Sequence, residues 1–261
     1  MDLQLIDHVV IVTGGSAGIG RASALELARE GATVVVGARS KEALDALAEE
    51  LAAIGGDHLT VPGDLTRVEG VTALVDAARA HGGRIDGLLA SVGSTPVGDF
   101  DEVDDEIWQR AFDGKFMASV RAVRAVLPDM RNRGAGRIVV VAGNTAHGPG
   151  TWMATSGAMN AALVNLAAST AQHVARDGIG INCLSPGATD TARYQGMRAT
   201  VMRREGLDEQ AAGERIRAGI PAGRVADPAE VARVATVLLS PTTAHVNGTN
   251  VVIDGAQTSL S

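Results

Sequence analysis

Residues 9–20 read Val-Val-Ile-Val-Thr-Gly-Gly-Ser-Ala-Gly-Ile-Gly, a short apolar run that breaks into spaced glycines. The apolar-periodic segment that follows predicts a helix from Ile19 to Glu30, and a second strand is predicted to begin near Thr33. Glycine has no Cβ, so the backbone can turn sharply and approach a pyrophosphate, whose charge then lies at the helix N-terminus. Because the glycines lie between a strand and a helix, we interpret the stretch as a dinucleotide-binding turn rather than an ordinary strand–turn–helix corner. The residues expected to contact the cofactor in this turn are Gly14, Ser16, Ala17, Gly18, Ile19 and Gly20.

Strand and helix patterns alternate along the rest of the chain. After Thr33–Val36, strands are predicted at 58–61, 85–92, 136–141, 180–184 and 250–253, and a long helical pattern runs from Asp104 to Met130 through Gly114. This alternation predicts an α/β fold with residues 1–261 in a single domain, a Rossmann-like, doubly wound parallel sheet of about seven strands with helices on both faces. Ligands bind beyond the carboxyl ends of such strands, so one crevice should be lined by the segments that follow Val12, Ala38, Leu65, Ser91 and Val141.

The composition limits the function classes. Hydrophobic residues make up 46% of the chain but aromatic residues only 2%, so Ala, Val, Leu and Ile must fill the core, as they do around buried parallel strands. The net charge of −7, with scattered basic residues, argues against a nucleic-acid partner. Cys183 is the only cysteine, so we expect a core thiol, no internal disulfide and no metal site. Because no apolar run is long enough to span a membrane and no basic-flanked leader begins the chain, we expect a soluble cytoplasmic protein without membrane contact.

The end of the second strand indicates which cofactor is bound. An acidic residue at this position would bind the adenosine ribose hydroxyls and repel a 2′-phosphate, whereas an arginine accommodates the phosphate. The chain has Ala38 followed by Arg39, Ser40 and Lys41, so NADP(H) is favoured over NAD(H), with Arg39 and Ser40 as candidate contacts. The alternative interpretation is a basic, solvated start of the next helix.

A polar, helical stretch at about 190–220 follows the sixth predicted strand. Its position next to the crevice is typical of a substrate lid, and a solvated helical excursion is the alternative.

The chain resembles the short-chain dehydrogenase/reductase family nearly from end to end. Thr13–Gly20 matches the family's cofactor fingerprint, and Asp64 and Leu65 lie where the family contacts adenine. Arg224–Glu230 and 247–255 look like its C-terminal signature. The resemblance implies the fold, a homotetramer and a nicotinamide cofactor. Further contacts are implied at Ser91, Gly93, Asn160, Pro186, Gly187, Thr189 and Thr191.

The resemblance fails at the catalytic residues. Members of the family usually have a Tyr as general acid/base, a Lys four residues later, a Ser thirteen residues before the Tyr and an Asn on the preceding long helix. This chain has Ser156, Asn160, Gly143 and Lys115 at those four positions. No shifted alignment restores the pattern, because the only tyrosine is Tyr194 and the lysines are Lys41 and Lys115.

The expected Lys and Asn have exchanged positions, which argues against simple loss of the site. Asn160 could bind ribose hydroxyls while Lys115 restores the positive charge, and a desolvated Lys115 could donate or relay a proton. The alternative is that Lys115 extends to solvent or pairs with Asp113. His147, four residues after Gly143, is a second candidate acid because histidine titrates near neutrality.

Three further residues could belong to the same pocket. Tyr194, on the predicted lid, is a weaker candidate acid. Trp152 and Met153 could shape an apolar substrate pocket or pack in the core.

Three functions remain open from the sequence. The first is an NADP(H)-dependent oxidoreductase that reduces a ketone, enone or imine of a small, largely apolar molecule with an atypical proton donor. The second is a non-catalytic nucleotide- or ligand-binding homologue, since fold alone does not establish function. The third is a non-redox enzyme that uses the same pocket.

Overall fold

A seven-stranded parallel sheet forms the centre of the computed structural model, which describes residues 1–93 and 95–258. The strands are β1 (Val9–Thr13), β2 (Thr33–Ala38), β3 (Leu59–Pro62), β4 (Gly87–Ala90), β5 (Gly136–Val141), β6 (Ile179–Pro186) and β7 (Asn250–Ile253). Their order is β3-β2-β1-β4-β5-β6-β7, with every neighbouring pair parallel. The order reverses between β1 and β4, which creates a crevice at their carboxyl ends. The predicted single-domain, doubly wound sheet is confirmed.

Helices cover both faces of the sheet. They are α1 (Gly18–Arg29), α2 (Lys41–Ile54), α3 (Val68–Gly82), α4 (Asp105–Ala111), α5 (Ala118–Arg133), α6 (Ala154–Val174), α7 (Ala192–Glu205), α8 (Glu209–Ala218) and α9 (Pro228–Leu239). One core contains Leu74, Val126 and Leu163 from α3, α5 and α6, and the other contains Leu27, Leu47 and Val231 from α1, α2 and α9. Cys183 lies in the first core, fully buried, as the sequence predicts. None of the helices in the described ranges is long and apolar enough to cross a membrane.

The long helix predicted at 104–130 is interrupted. A π-helical segment, Phe112–Met117, separates α4 from α5, so the predicted helical pattern is present but contains a widened turn that the sequence did not predict. The sequence reason lies at Gly114, which costs helix stability and permits a wider local turn. Such π-helical insertions often lie at functional sites, and this one contains Lys115.

An ion-pair network holds the start of β4 against β1. Asp86 accepts from the Val9 amide at 2.9 Å, from Arg84 at 2.7 Å through both of its oxygens, and from Arg133 at 3.0 Å. The Asp86 side chain is only 10% exposed, so its partners would lose both charge compensation and hydrogen bonds if it were removed.

We predict that Asp86→Ala lowers the free energy of unfolding by about 2–3 kcal/mol, because it leaves two guanidinium groups and a buried amide without their acceptor. Asp76→Ala is the matched control: Asp76 is an exposed partner of Arg79, which keeps Asp129, and its loss should cost at most about 0.5 kcal/mol. Urea unfolding followed by circular dichroism measures both. Equal midpoints for the two variants would contradict the assigned role of Asp86.

Candidate active site

A cleft of about 710 Å³ opens at the carboxyl ends of β1, β4, β5 and β6. It is lined by most of the candidate cofactor, catalytic and pocket residues singled out from the sequence: Gly14, Ala17, Gly18, Ile19, Gly20, Ser91, Gly93, Lys115, Gly143, His147, Trp152, Met153, Ser156, Asn160, Pro186, Gly187, Thr189, Thr191 and Tyr194. The fold therefore places the glycine turn and the four positions of the missing catalytic residues in one cleft.

The other five predicted cofactor residues do not line this cleft. Ser16 is half-buried in the glycine turn, and Arg39 is exposed at the end of β2. Ser40 caps α2 by accepting from the Ala43 amide, so one lone pair of its hydroxyl is already used. The remaining two, Asp64 and Leu65, follow β3 at the same edge of the sheet.

Local hydrogen bonds lower the pKa of the Asp64 carboxyl. The hydroxyl and amide of Thr66 donate to Asp64 Oδ1 at 2.7 and 3.0 Å, and these bonds lower the pKa of the Asp64 carboxyl with help from the charges of Arg67 and Arg39. Leu65 is 4% exposed and packs in the core, so its backbone rather than its side chain is available to a ligand.

The glycine turn has the shape of a phosphate cradle. Gly14 has φ +67°, and a Cβ there would lie 2.6 Å from the carbonyl oxygen of Ser91. A Cβ at Gly20 would overlap the carbonyl oxygen of Gly14. Within the described residues no side chain caps the N-terminus of α1, and residues of its first turn, Gly18, Ile19 and Gly20, line the cleft. These residues fit the pyrophosphate of a dinucleotide.

Lys115 lies inside the cleft in a buried position. Its Nζ donates to the carbonyl oxygen of Ala142, just beyond β5, at 3.0 Å. Burial, reinforced by the nearby charge of Arg193, lowers the pKa of the Lys115 ammonium from 10.5 to about 7. The alternative that Lys115 extends to solvent or pairs with Asp113 is wrong, because Asp113 instead accepts from Gln109 at 2.7 Å.

Close backbone packing sets the position of Lys115. Gly93, after β4, has φ +106°, and a Cβ there would lie 2.5 Å from the carbonyl oxygen of Gly114 and 2.8 Å from Lys115 Cα. The π-helical segment can approach β4 only because position 93 has no side chain.

A hydrogen-bonded group lies in the same cleft as Lys115, on the loop after β5 and the first turns of α6. Asn160 Nδ2 donates to Thr145 Oγ1 at 2.7 Å and to Ser156 Oγ at 3.4 Å, and the two hydroxyl oxygens are 3.2 Å apart. Asn160 Oδ1 is buried and has no partner among the described residues. A Cβ at Gly143 would lie 2.7 Å from Asn160 Nδ2, so the amide occupies the space that a side chain at 143 would need.

Sequence reasoning missed Thr145. The sequence contained one indication that Thr145 belongs to the site: it is a hydroxyl residue two positions after Gly143. Because hydroxyl residues are common in loops, that indication was not specific. Asn144 and Asp254 were also missed; Asn144 Nδ2 donates to Asp254 Oδ2 at 3.3 Å, which ties the loop after β5 to the segment after β7.

His147 lies at the exposed edge of the cleft. Its Nε2 is 2.7 Å from Asn250 Nδ2, and Asn250 Oδ1 accepts from Ser185 at 2.8 Å. In this orientation of the amide, Asn250 Nδ2 donates to His147 Nε2, which places the proton of a neutral ring on Nδ1.

Aromatic and apolar residues wall the remainder of the cleft. Trp152 and Met153 both line it, and the guanidinium of Arg204 lies 6.0 Å from the centre of the Trp152 ring. Tyr194 is buried on α7, with Arg198 5.9 Å from its ring. The apolar residues that α7 and α8 contribute are Met197, Val201 and Ile216.

The Cys183 thiol is not available for chemistry here. Burial raises the pKa of the Cys183 thiol to about 12, and its Sγ lies 3.4 Å from the carbonyl oxygen of Leu163. Residues 1–93 and 95–258 contain no group of three or more His, Cys, Asp or Glu arranged to hold a metal ion.

Comparisons with known proteins identify the family to which the chain is similar. The family model described as short chain dehydrogenase matches residues 8–201. An NADPH-dependent reductase from Bacillus subtilis, BacG, is 30% identical, with 95% of this chain and 96% of that protein covered. An L-rhamnose 1-dehydrogenase (NAD(P)(+)) from Azotobacter vinelandii is 32% identical, with 97% of each chain covered.

A solved structure has the same fold over its whole length. The L-sorbose reductase of Gluconobacter frateurii, in complex with NADPH and L-sorbose, has a TM-score of 0.94, 30% identity and coverage of 100% of both chains. With the glycine turn and the parallel sheet already described, these matches show that the chain is an oxidoreductase of the short chain dehydrogenase family.

Proposed function

We propose that the chain is an NADP(H)-dependent reductase that converts a ketone, enone or imine of a small molecule and uses Lys115 as its proton donor. The observation that carries this proposal is the continuity of the cleft. It runs from the uncapped N-terminus of α1 to a buried lysine whose pKa is about 7.

The preference for NADP(H) rests on the end of β2. Ala38 and Arg39 lie where an acidic residue would repel a 2′-phosphate, and Arg39 is exposed. BacG and the L-sorbose reductase, which the chain resembles over nearly its whole length, are also described with NADPH. When bound, the reduced cofactor supplies the hydride.

Each part of the cofactor has candidate contacts. The glycine turn would hold the pyrophosphate, Arg39 and Ser40 the 2′-phosphate, and Asp64 with the Leu65 backbone the adenine. The nicotinamide end would lie among Ser91, Gly93, Asn160, Pro186, Gly187, Thr189 and Thr191, most of which line the cleft floor.

Lys115 supplies the proton in this proposal. A group with a pKa of about 7 is protonated in a large share of molecules at neutral pH and still gives up its proton readily. As the substrate oxygen gains negative charge, Lys115 donates a proton to it, which leaves an alcohol and a neutral amine. Ser156 cannot substitute as the acid because an aliphatic hydroxyl holds its proton too tightly. His147 is hydrogen-bonded to Asn250 at the exposed edge of the cleft, so we place it second to Lys115 as a candidate proton donor.

The walls of the cleft suit a largely apolar substrate. Met153, Met197, Val201 and Ile216 line it, and α7 with α8 would act as the lid proposed for 190–220. An ion pair between Arg204 and Asp99 connects α7 to the segment between β4 and α4. A homotetramer remains a proposal from the family resemblance.

The deciding experiment follows NADPH absorbance while the product is quantified. Oxidation of one NADPH per alcohol formed supports the reductase. Binding without turnover would instead support a non-catalytic homologue, and product without net cofactor change a non-redox enzyme.

Arg39→Ala should weaken NADPH binding by roughly 10–100-fold and leave NADH binding within about twofold, because it removes a charge-assisted contact to the 2′-phosphate. Calorimetric titration measures both affinities. Lys41→Ala is the control, since Lys41 already pairs with Asp45 at 2.7 Å, and it should change NADPH affinity less. Equal losses for the two cofactors would contradict a 2′-phosphate contact at Arg39.

Lys115→Met should lower kcat by about 10²–10⁴-fold, the usual size of a general-acid contribution, with NADPH affinity changed little. In the unmodified protein kcat/KM should fall as pH rises above about 7, because Lys115 loses its proton. His147→Ala should leave both the rate and the pH profile nearly unchanged. A His147→Ala variant that loses the pH dependence would reassign the acid.

Lys115→Met should also stabilise the protein in a pH-dependent way. Because the folded-state pKa lies below the value of 10.5 expected when unfolded, burial of the charge destabilises the fold fully below about pH 7, and the penalty fades as pH rises toward 10.5. The gain from Lys115→Met should therefore be on the order of 4 kcal/mol at pH 6 and much smaller near pH 10. Urea unfolding at the two pH values tests this; a gain that does not depend on pH would contradict it.

A further inference from the structure

The cleft lacks a hydroxyl at the position where the family resemblance places a serine. Gly143 is there, and the Asn160 amide fills the space beside it, 2.7 Å from where a Cβ would lie. A hydrogen bond to the substrate oxygen must therefore come from another residue.

Two hydroxyl groups are hydrogen-bonded to this Asn160 amide. Thr145 Oγ1 and Ser156 Oγ are 3.2 Å apart, and both accept from Asn160 Nδ2. The shorter of the two amide bonds, 2.7 Å against 3.4 Å, goes to Thr145.

The difference in exposure between Ser156 and Thr145 indicates which of their two hydroxyl hydrogens points into the cleft. Ser156 is 1% exposed and Asn160 2%, whereas Thr145 is half-buried at the cleft surface. If Ser156 donates to Thr145 Oγ1, that oxygen accepts two bonds, which is its full capacity, and its own hydrogen is free to point into the cleft. In the reverse direction the free hydrogen would belong to Ser156, whose 1% exposure makes it much less accessible to a ligand in the cleft than the half-buried Thr145.

From this geometry we infer that Thr145 donates the hydrogen bond that binds and polarises the substrate's carbonyl oxygen, and that Asn160 and Ser156 are positioning residues that hold its hydroxyl in that direction. The inference rests on the proposed reductase function and assigns a second group to its site. Two tasks are thereby separated: Thr145 stabilises the developing negative charge, and Lys115 supplies the proton.

The test uses the full chain, with 9,10-phenanthrenequinone as the carbonyl probe and Thr145→Val as the variant. Valine keeps the shape of threonine but has no hydroxyl, so kcat/KM should fall by roughly 10²–10³-fold, as for loss of one donor to a forming oxyanion. Thr145→Ser should restore most of the rate. Thr236→Val is the matched control, because the buried Thr236 hydroxyl has no partner among the described residues and lies on α9, away from the cleft.

A second readout does not require turnover. In the complex of the protein with NADP⁺ and ¹³C-labelled quinone, the carbonyl infrared band should shift to lower frequency in the unmodified protein and in Thr145→Ser, but not in Thr145→Val. Ser156→Ala removes only an orienting group, so it should broaden the shifted band and lower kcat less than Thr145→Val does.

The outcomes separate the inference from the proposed function. Turnover that Thr145→Val leaves intact overturns the role of Thr145 while the reductase stands. A band shift that depends on Thr145, in a protein that never oxidises NADPH, overturns the reductase but keeps the carbonyl contact. A quinone that does not bind, or a band that is the same in all variants, overturns the inference.

Discussion

Close contact between backbone segments at the carboxyl ends of β1 and β4 is the constraint on which the site depends. Gly14 packs against the Ser91 carbonyl, and Gly93 packs against Gly114 and Lys115, at distances that leave no room for a Cβ. The first contact shapes the turn that faces the cofactor. The second brings the π-helical segment against β4 and so buries Lys115. The glycine turn and Lys115 are thus positioned by the neighbouring strands β1 and β4. The Asp86 ion-pair network holds the same two strands together at their amino ends.

The burial of Lys115 is costly. A pKa lowered from 10.5 to about 7 corresponds to roughly 5 kcal/mol of penalty on the charged form, comparable to the net stability of many domains. A hydrogen bond to the Ala142 carbonyl offsets only a part of that penalty. Large pKa shifts of this kind concentrate at catalytic sites, where destabilisation is retained for function. The physical cost therefore argues that Lys115 is kept for chemistry rather than for packing.

Local patterns in the sequence predicted the fold well because each pattern has a local cause. The glycine turn and the strand Gly136–Val141 lie where the sequence predicts them, and the β-branched run at 33–36 forms β2, which continues to Ala38. The interruption at Gly114 was not predicted, since the π-helical segment depends on what packs against it. Thr145 was missed for the same reason: only the folded chain shows that Asn160, fifteen residues away, donates to it.

Two of the substituted positions, Gly143 and Asn160, are coupled to each other and to Thr145, so one substitution would require the neighbouring side chains to shift. A serine at 143 would overlap the Asn160 amide, and removing that amide would free the Thr145 hydroxyl from its strongest partner. A lysine at 160 would in turn bring a second ammonium toward the already desolvated Lys115, and like charges in a poorly solvated site repel strongly. Gly143, Thr145, Asn160 and Lys115 therefore form one interdependent set. Non-additive effects are expected within such a set, because each side chain occupies space or supplies a bond that the others require.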